Sequence, residues 1–269
     1  MRRARLLLAF DASSVIGVHA GSLTGSAGAS SAERRLPRGA LRPGPFDDNV
    51  VAADVVRDAL AELRQELGVN GRAAALVLPD GCARLALIEP PAGVAAVEYA
   101  RFRLAPSLPF PPGEALVDGV RSGPHLLAAV VRRRVVQGYE DVVAAAGFRQ
   151  DRVDVAPLLA AGSLLRKPPG PGGVVVVLSG DAAQTFFGFS DGQLCAARSR
   201  RRDADAADEA SRVAAEAERT AALLDGTPSR ILLAGRQASE LATALRALGR
   251  DAWAEAPAGV AGWLAEAIA

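Results

Sequence analysis

The apolar residues of this chain fall in short runs that change period along its length. LLLAF at 6–10 and VIGVHA at 15–20 are continuous or alternating runs joined by DASS, which predicts two strands and a tight polar turn. The stretch from Gly21 to Asp48 is rich in Gly, Ser and Pro and reads as an irregular loop or a third, poorly patterned strand. DDNVVAADVVRDALAELRQELG then predicts a helix. Val51, Val55, Ala59, Leu63 and Leu67 recur every fourth position, Asp47, Asp48 or Asn49 can cap its start, and Gly68 can end it in a left-handed turn. RAAALVLP follows as a buried strand, so the opening unit reads ββ(β)αβ.

The next segment has another rhythm. ARLALIEPP predicts a strand, VAAVEYARFRLAPSL a helix ending near Pro106, and PFPPGEALVDGV a Pro-rich bend into a strand. HLLAAVVRRRVVQGYEDVVAAAGF predicts a strand and an amphipathic helix closed by Gly147, and DRVDVAPLLAAGSLL a strand and a helix. KPPGPGG at 167–173 is the strongest linker signal. Beyond it, VVVVLSGDAAQTFFGFSDGQL repeats the opening plan of strand, tight turn and strand. A polar helix at 207–224, the strand RILLAG, a helix at 239–248 and a short helix near 260–268 complete the pattern. Two similar units, each starting strand–turn–strand, predict an α/β protein of two related domains.

Composition narrows the chemistry. The 269 residues are 50% hydrophobic but 4% aromatic, so Ala, Val and Leu must build the core. The formal net charge of +1 gives no electrostatic case for nucleic acid. Cys82 and Cys195 lie far apart without metal-ligand spacing, and His19 and His125 are the two histidines, so no zinc site is expected and both thiols read as buried or incidental. MRRARLLLAF has the basic-then-apolar look of a secretory signal. Asp11 interrupts the apolar run after five residues, so it reads as a first strand with a basic leader. No run approaches the roughly 20 apolar residues of a spanning helix. Ser13 and Ser14 have no His and Asp nearby in sequence to activate a nucleophile, and no catalytic residue is expected. The arginines at 132–134 fit a solvated strand-to-helix junction, with acidic lipid or a partner carboxylate as the other reading, and the mixed run at 198–212 fits an exposed loop entering a helix, with anionic lipid head groups as the other reading.

The order of the middle blocks, LPFPPGEALVDGV, then LLAAVVRRRVVQGYEDVVAAAGF, then DRVDVAPLLAAGSLL, resembles the PilM family of type IV pilus assembly and the related cytoplasmic part of GspL from type II secretion. The resemblance covers most of the chain. It implies an actin-like, FtsA-like ATPase fold: a first domain over 1–84 and 151–168, an inserted α+β lobe over 85–150, and a second domain over 169–269. It implies a cytoplasmic protein held at the inner membrane through the N-terminal peptide of a single-span, PilN-like partner, with other platform and motor components nearby. The expected groove for that peptide lies between the first domain and the lobe, walled by RLAPSLPF and HLLAAVV.

The same resemblance places a nucleotide site. Asp11, Ser13 and Ser14 stand at the first phosphate turn, Gly180 at the second, and Gly235 at the nucleoside-side turn. Nucleotide-binding relatives carry a glycine and often a lysine at the first turn. Here the glycine is missing, the turn is about two residues shorter, and Ile16 takes the lysine position. Leu178 stands where relatives have a metal-placing acid, with Asp181 three residues on, and Arg236 replaces a second glycine. Without a metal-binding carboxylate triphosphate charge goes unbalanced, and a bulky side chain at a glycine position blocks close backbone approach. The expectation is a vestigial site without Mg·ATP or hydrolysis, and a scaffold function. The alternative is an active ATPase or kinase of the same superfold, since fold alone does not decide function.

Overall fold

A computed structural model describes residues 6–19, 30–46, 48–69, 73–202, 208–224 and 230–254. The first half runs β1 (Leu6–Phe10), β2 (Ser14–His19), β3 (Ser30–Arg35), α1 (Ala53–Glu66) and β4 (Ala73–Leu78). An insertion follows: β5 (Ala83–Ile88), α2 (Ala96–Leu104), β6 (Ala115–Ser122), β7 (His125–Arg132) and α3 (Arg133–Ala145). β8 (Arg149–Val155) and α4 (Ala156–Arg166) lead to the second half: β9 (Gly173–Ser179), β10 (Ala183–Ser190), β11 (Gln193–Arg201), α5 (Glu209–Ala221), β12 (Arg230–Gly235), α6 (Ala238–Ala247) and β13 (Ala252–Ala254).

The two large sheets share one plan. The first has the order β3-β2-β1-β4-β8 and the second β11-β10-β9-β12-β13. In each, an antiparallel three-strand meander is extended by two strands parallel to its first. β5-β7-β6 form a separate small antiparallel sheet.

The continuous apolar runs are explained by which faces are covered. Successive side chains of a strand point to opposite faces, so a strand covered on both sides must be apolar throughout. Leu6, Leu8 and Phe10 of β1 enter a core with α1 and α3, while Leu7 and Ala9 point the other way. In β9, Val175 and Val177 pack under α5 and α6, while Val174, Val176 and Leu178 face Leu7 and Ala9. That central layer, with Phe187, Phe189 and the α4 residues Ala160, Ala161 and Leu164, is common to both sheets.

Helix α1 keeps Ala59, Leu63 and Leu67 of its expected face against the core but not its first two positions. Val56, Ala59, Leu60 and Leu63 are the buried positions, whereas Val51 is 49% and Val55 39% exposed. The preceding turn sets this phase. Buried Asn49 accepts the Gly44 N–H (2.8 Å) and donates to the Gly44 carbonyl (3.1 Å), so it ties the loop instead of capping the helix. The N-cap is Ala52, without a side-chain cap, and Asp47 lies outside the described residues. Gly68 ends the helix at φ +62°, as expected. The 21–48 stretch contributes β3, a polar edge strand with alternate residues exposed.

Within the range given to the inserted lobe, β5, α2, β6 and β7 share one small core around Ala100, Leu104, Phe110 and Leu126. α3 instead lays Val135, Val136, Tyr139, Val142 and Val143 on the first sheet's core, where Tyr139 meets Phe10 edge-on at 5.0 Å. Its broad apolar stripe matches the α1 surface rather than the small sheet. β7 is buried over its six central residues, so HLLAAVV does not wall an open groove; in RLAPSLPF, Leu104 and Phe110 are buried while Pro106 and Pro109 are exposed. β13 was not expected; three residues are too few to show a period. The helix expected near 260–268 lies outside the described residues.

The observed α1 face makes a direct prediction. Leu60→Ala should lower unfolding free energy by about 2–5 kcal/mol, while Val55→Ala should stay within about 0.5 kcal/mol. Urea denaturation of the two variants measures the difference, and equal losses would restore the Val51–Val55 face.

Candidate functional site

The shared apolar layer brings the ends of β1 and β9 side by side. The turn from β1 to β2 carries Asp11, Ser13 and Ser14, and the turn from β9 to β10 carries Gly180 and Asp181. The two turns bond directly to each other. The Asp181 N–H lies 3.0 and 3.1 Å from the two Asp11 carboxylate oxygens, and Asp11 Oδ1 also accepts the Ala12 N–H at 2.8 Å. The Ser13 hydroxyl donates to the Asp181 carboxylate. Backbone donors of the kind that receive a phosphate are thus taken by a side chain of the same molecule.

Arg236 enters this cluster from the turn after β12. Its Nε lies 3.2 Å from Asp181 Oδ1 and 3.5 Å from Asp11 Oδ2, ion-pair distances rather than aligned hydrogen bonds. Its Nη2 donates to Ser14 Oγ and to Glu33 on β3. Gly235 sets the approach. It has φ +94°, and a Cβ there would run into the Ser179 carbonyl oxygen, to which the Arg236 N–H donates at 2.8 Å. This glycine is thus required by the neighbouring backbone without any ligand. Gly180 is held differently: a Cβ would come within 3.1 Å of Asp80 Oδ1. Its carbonyl accepts from Arg202 at 3.0 Å, and Arg202 also pairs with Gln237 and Glu209.

Beneath the cluster lies a cavity of about 40 Å³, room for a few waters. Ile16, Val77 and Leu178 line it beside Asp11 and Asp80. Ile16 and Leu178, two departures read separately from the sequence, therefore meet in one apolar wall. Asp80 follows β4 and is 5% exposed, with the Thr185 hydroxyl donating to it at 3.2 Å. Its carboxyl is pushed up to about 7, first by burial and then by the charge on Asp11. Asp11 is pushed up to about 6 by burial and by Asp181, against the backbone N–H groups and Arg236, which favour its charged form.

All five site residues expected from the sequence thus come together. Asp11, Ser13, Ser14 and Gly180 touch or adjoin one another, and Gly235 abuts Ser179 beside them. The sequence did not reveal Asp80, Thr185, Glu33 or Arg202. For Asp80 the available signal was an acid just after a buried strand; Thr185 and Glu33 lie on strands, and Arg202 just past one, whose neighbours only the fold supplies. Clustered carboxylates, two guanidiniums already engaged by groups of the protein and an apolar wall are a poor donor set for a triphosphate, which needs converging cations and N–H groups. Among the described residues, no group of three or more His, Cys, Asp and Glu could hold a metal ion. Cys82 is buried, bonded to Asn49 and Tyr139, with its thiol pushed up to about 12 by burial, which makes it unreactive.

The acid pair predicts a pH response. The native state holds protons on Asp80 and Asp11 that the unfolded chain releases at lower pH. These groups therefore make stability fall as pH rises from about 4 to about 7. Asp80→Asn keeps a partner for Thr185 and removes the buried charge. Its melting temperature should match wild type near pH 4 and exceed it above pH 7, by an amount on the order of a few kcal/mol in stability. Parallel pH-dependence of the two proteins would exclude Asp80 as the titrating group.

No protein-family model and no curated protein matches this sequence. Solved structures do match. One is a PilM–PilN type IV pilus biogenesis complex, with a TM-score of 0.73 and 18% identity over 99% of this chain and 97% of that one. Another is the cytoplasmic domain of EpsL, an inner-membrane component of the type II secretion system of Vibrio cholerae (TM-score 0.55, 12% identity, 85% and 80% covered). A third is a Bacteroides thetaiotaomicron protein of unknown function with an actin-like ATPase fold (TM-score 0.64, 11% identity, 98% and 95% covered). At such identities the likeness carries the architecture, and with the paired sheet plan it establishes that this chain has the actin-like ATPase fold.

Proposed function

We propose that the protein is a scaffold of a type IV pilus or type II secretion platform, working at the cytoplasmic face of the inner membrane. In this reading it binds the N-terminal peptide of a PilN-like single-span protein and neither holds nor hydrolyses ATP. The observation that carries the reading is the cleft. Where nucleotide relatives offer donors to phosphate, the Asp11 carboxylate takes the Asp181 N–H, and Arg236 stands where a glycine would admit the ligand. Two further observations support it. The fold matches a PilM–PilN complex along nearly the whole chain. Among the described residues no helix is long and apolar enough to cross a membrane, which suits attachment through a partner.

The peptide should lean on the inserted lobe. Its β7 is buried, but Val94 (44% exposed) and Phe102 (76%) remain open on the α2 side. An aromatic anchor with backbone hydrogen bonding is enough to hold a short apolar peptide.

Calorimetric titration with the cytoplasmic N-terminal peptide of the neighbouring single-span protein should show saturable binding at micromolar affinity or better. Phe102→Asp should weaken it about tenfold or more without lowering the melting temperature. Millimolar Mg·ATP should leave the melting temperature unchanged, because a ligand stabilises the native state by RT ln(1 + [L]/Kd), which vanishes when Kd far exceeds its concentration. No peptide binding together with a saturable ATP shift would replace this reading by the ATPase or kinase one.

A further inference from the structure

Four oxygens from three separate elements converge on one guanidinium. Asp11 Oδ2 and Ser14 Oγ come from the β1–β2 segment, Glu33 Oε1 from β3, and Asp181 Oδ1 from the β9–β10 turn. The first three belong to one half of the molecule; Arg236 and Asp181 belong to the other. The Arg236 backbone is fixed on both sides, by Gly235 at φ +94° and by its own N–H on Ser179. Its side chain is 25% exposed and those of Asp11 and Asp181 are 11% and 20% exposed, so this pairing is well shielded from water.

We propose that Arg236 is a tethered cation that locks the two halves across the cleft, so that the closed arrangement requires no diffusible metal or nucleotide. Without the guanidinium, Asp11, Asp181 and Glu33 would be left facing one another, with Asp80 directly behind. Removing one partner of a shielded charge pair leaves the others uncompensated, which costs far more than losing an exposed pair. Arginine suits the role because its planar fork presents five donors and stays charged at every working pH. A lysine ammonium is a point charge and cannot span oxygens on both turns and on β3. The remaining cation at the second turn, Arg202, binds the Gly180 carbonyl, Gln237 and Glu209 within its own half and does not cross the cleft. The lock is independent of the partner reading: it makes the scaffold rigid whatever it binds.

Hydrogen exchange of the full chain tests this, because exchange reads local opening separately from global unfolding. In wild type the amides of residues 11–14 and 180–183 should exchange at one rate with chelator or with millimolar magnesium. In Arg236→Ala they should exchange about tenfold faster or more, equivalent to about 1.4 kcal/mol, while β1 and β9 stay protected. Added millimolar guanidinium ion should restore most of the loss, and Arg236→Lys should restore only part. Turn exchange within twofold of wild type, or an increase spread evenly over β1 and β9 without guanidinium rescue, overturns the lock. If Arg236→Ala does not fold, a double-mutant cycle of Arg236→Lys with Glu33→Gln on the edge strand takes its place. Non-additive turn exchange supports the lock and additive exchange overturns it. Peptide titration enters none of these measurements, so their failure is distinct from failure of the scaffold reading.

Discussion

The central apolar layer is the constraint from which the rest of this molecule follows. β1 and β9 each bury both faces, and their facing residues, Leu7 and Ala9 against Val174, Val176 and Leu178, share one core with α4. Two sheets that share a core cannot slide apart without exposing it, and at about 25 cal/mol per Å² that exposure is prohibitive for Val and Leu side chains. The ends of both strands are therefore forced to one edge. The turns that leave those ends, at Asp11 and Gly180, must meet whether or not a ligand lies between them. Polar groups brought together in that way find each other as partners or remain unsatisfied. Asp11, Asp181, Ser13 and Arg236 are the solution this sequence adopts.

The electrostatics of the cleft follow from the same packing. A carboxylate at the edge of an apolar layer loses hydration, and a second beside it adds repulsion. Asp80 shows both effects, with burial the larger. One guanidinium among several acids balances part of that charge and leaves the site acidic overall. A triphosphate brings more negative charge and needs cations to receive it, whereas the cavity here is lined by Ile16 and Leu178 beside Asp11 and Asp80. The strand–turn–strand frame of the fold is intact, and at its two turns the side chains bond to each other.

Much of the fold was legible because strand and helix periods differ and because the opening plan recurs near Val174. The recurrence predicted two related sheets, and their matching strand orders agree with it. What failed did so for local reasons. Ala59 and Leu63 do lie on the buried face of α1, but counting every fourth residue from Val51 missed Val56 and Leu60, which the 3.6-residue turn adds to that face. HLLAAVV looked like a groove wall because an apolar strand says nothing about which neighbours cover it; here α2 and the flanking strands do. In the site, Asp11 and Gly180 were visible from their turns. Glu33 and Thr185 were not, since nothing in a polar edge strand or in FFGF announces a partner some 200 or 100 residues away in sequence.

Gly235 shows why retained motif residues are weak evidence for retained chemistry. Its left-handed backbone and its contact with Ser179 are demands of the β9–β12 crossing, and they persist with no ligand at all. Gly180 is likewise kept small by Asp80 and Ala183. A glycine at such a turn can therefore be required by packing alone. Ile16 and Leu178 answer to packing as well, 4% and 8% exposed in the shared core, and Arg236 lies at its rim. The first two line the cavity with hydrocarbon beside Asp11 and Asp80. The third sets a permanent charge among the acids, and its geometry engages both halves at once. With Arg236 bonded to both turns and to β3, the cleft closes on itself through side chains of the same molecule.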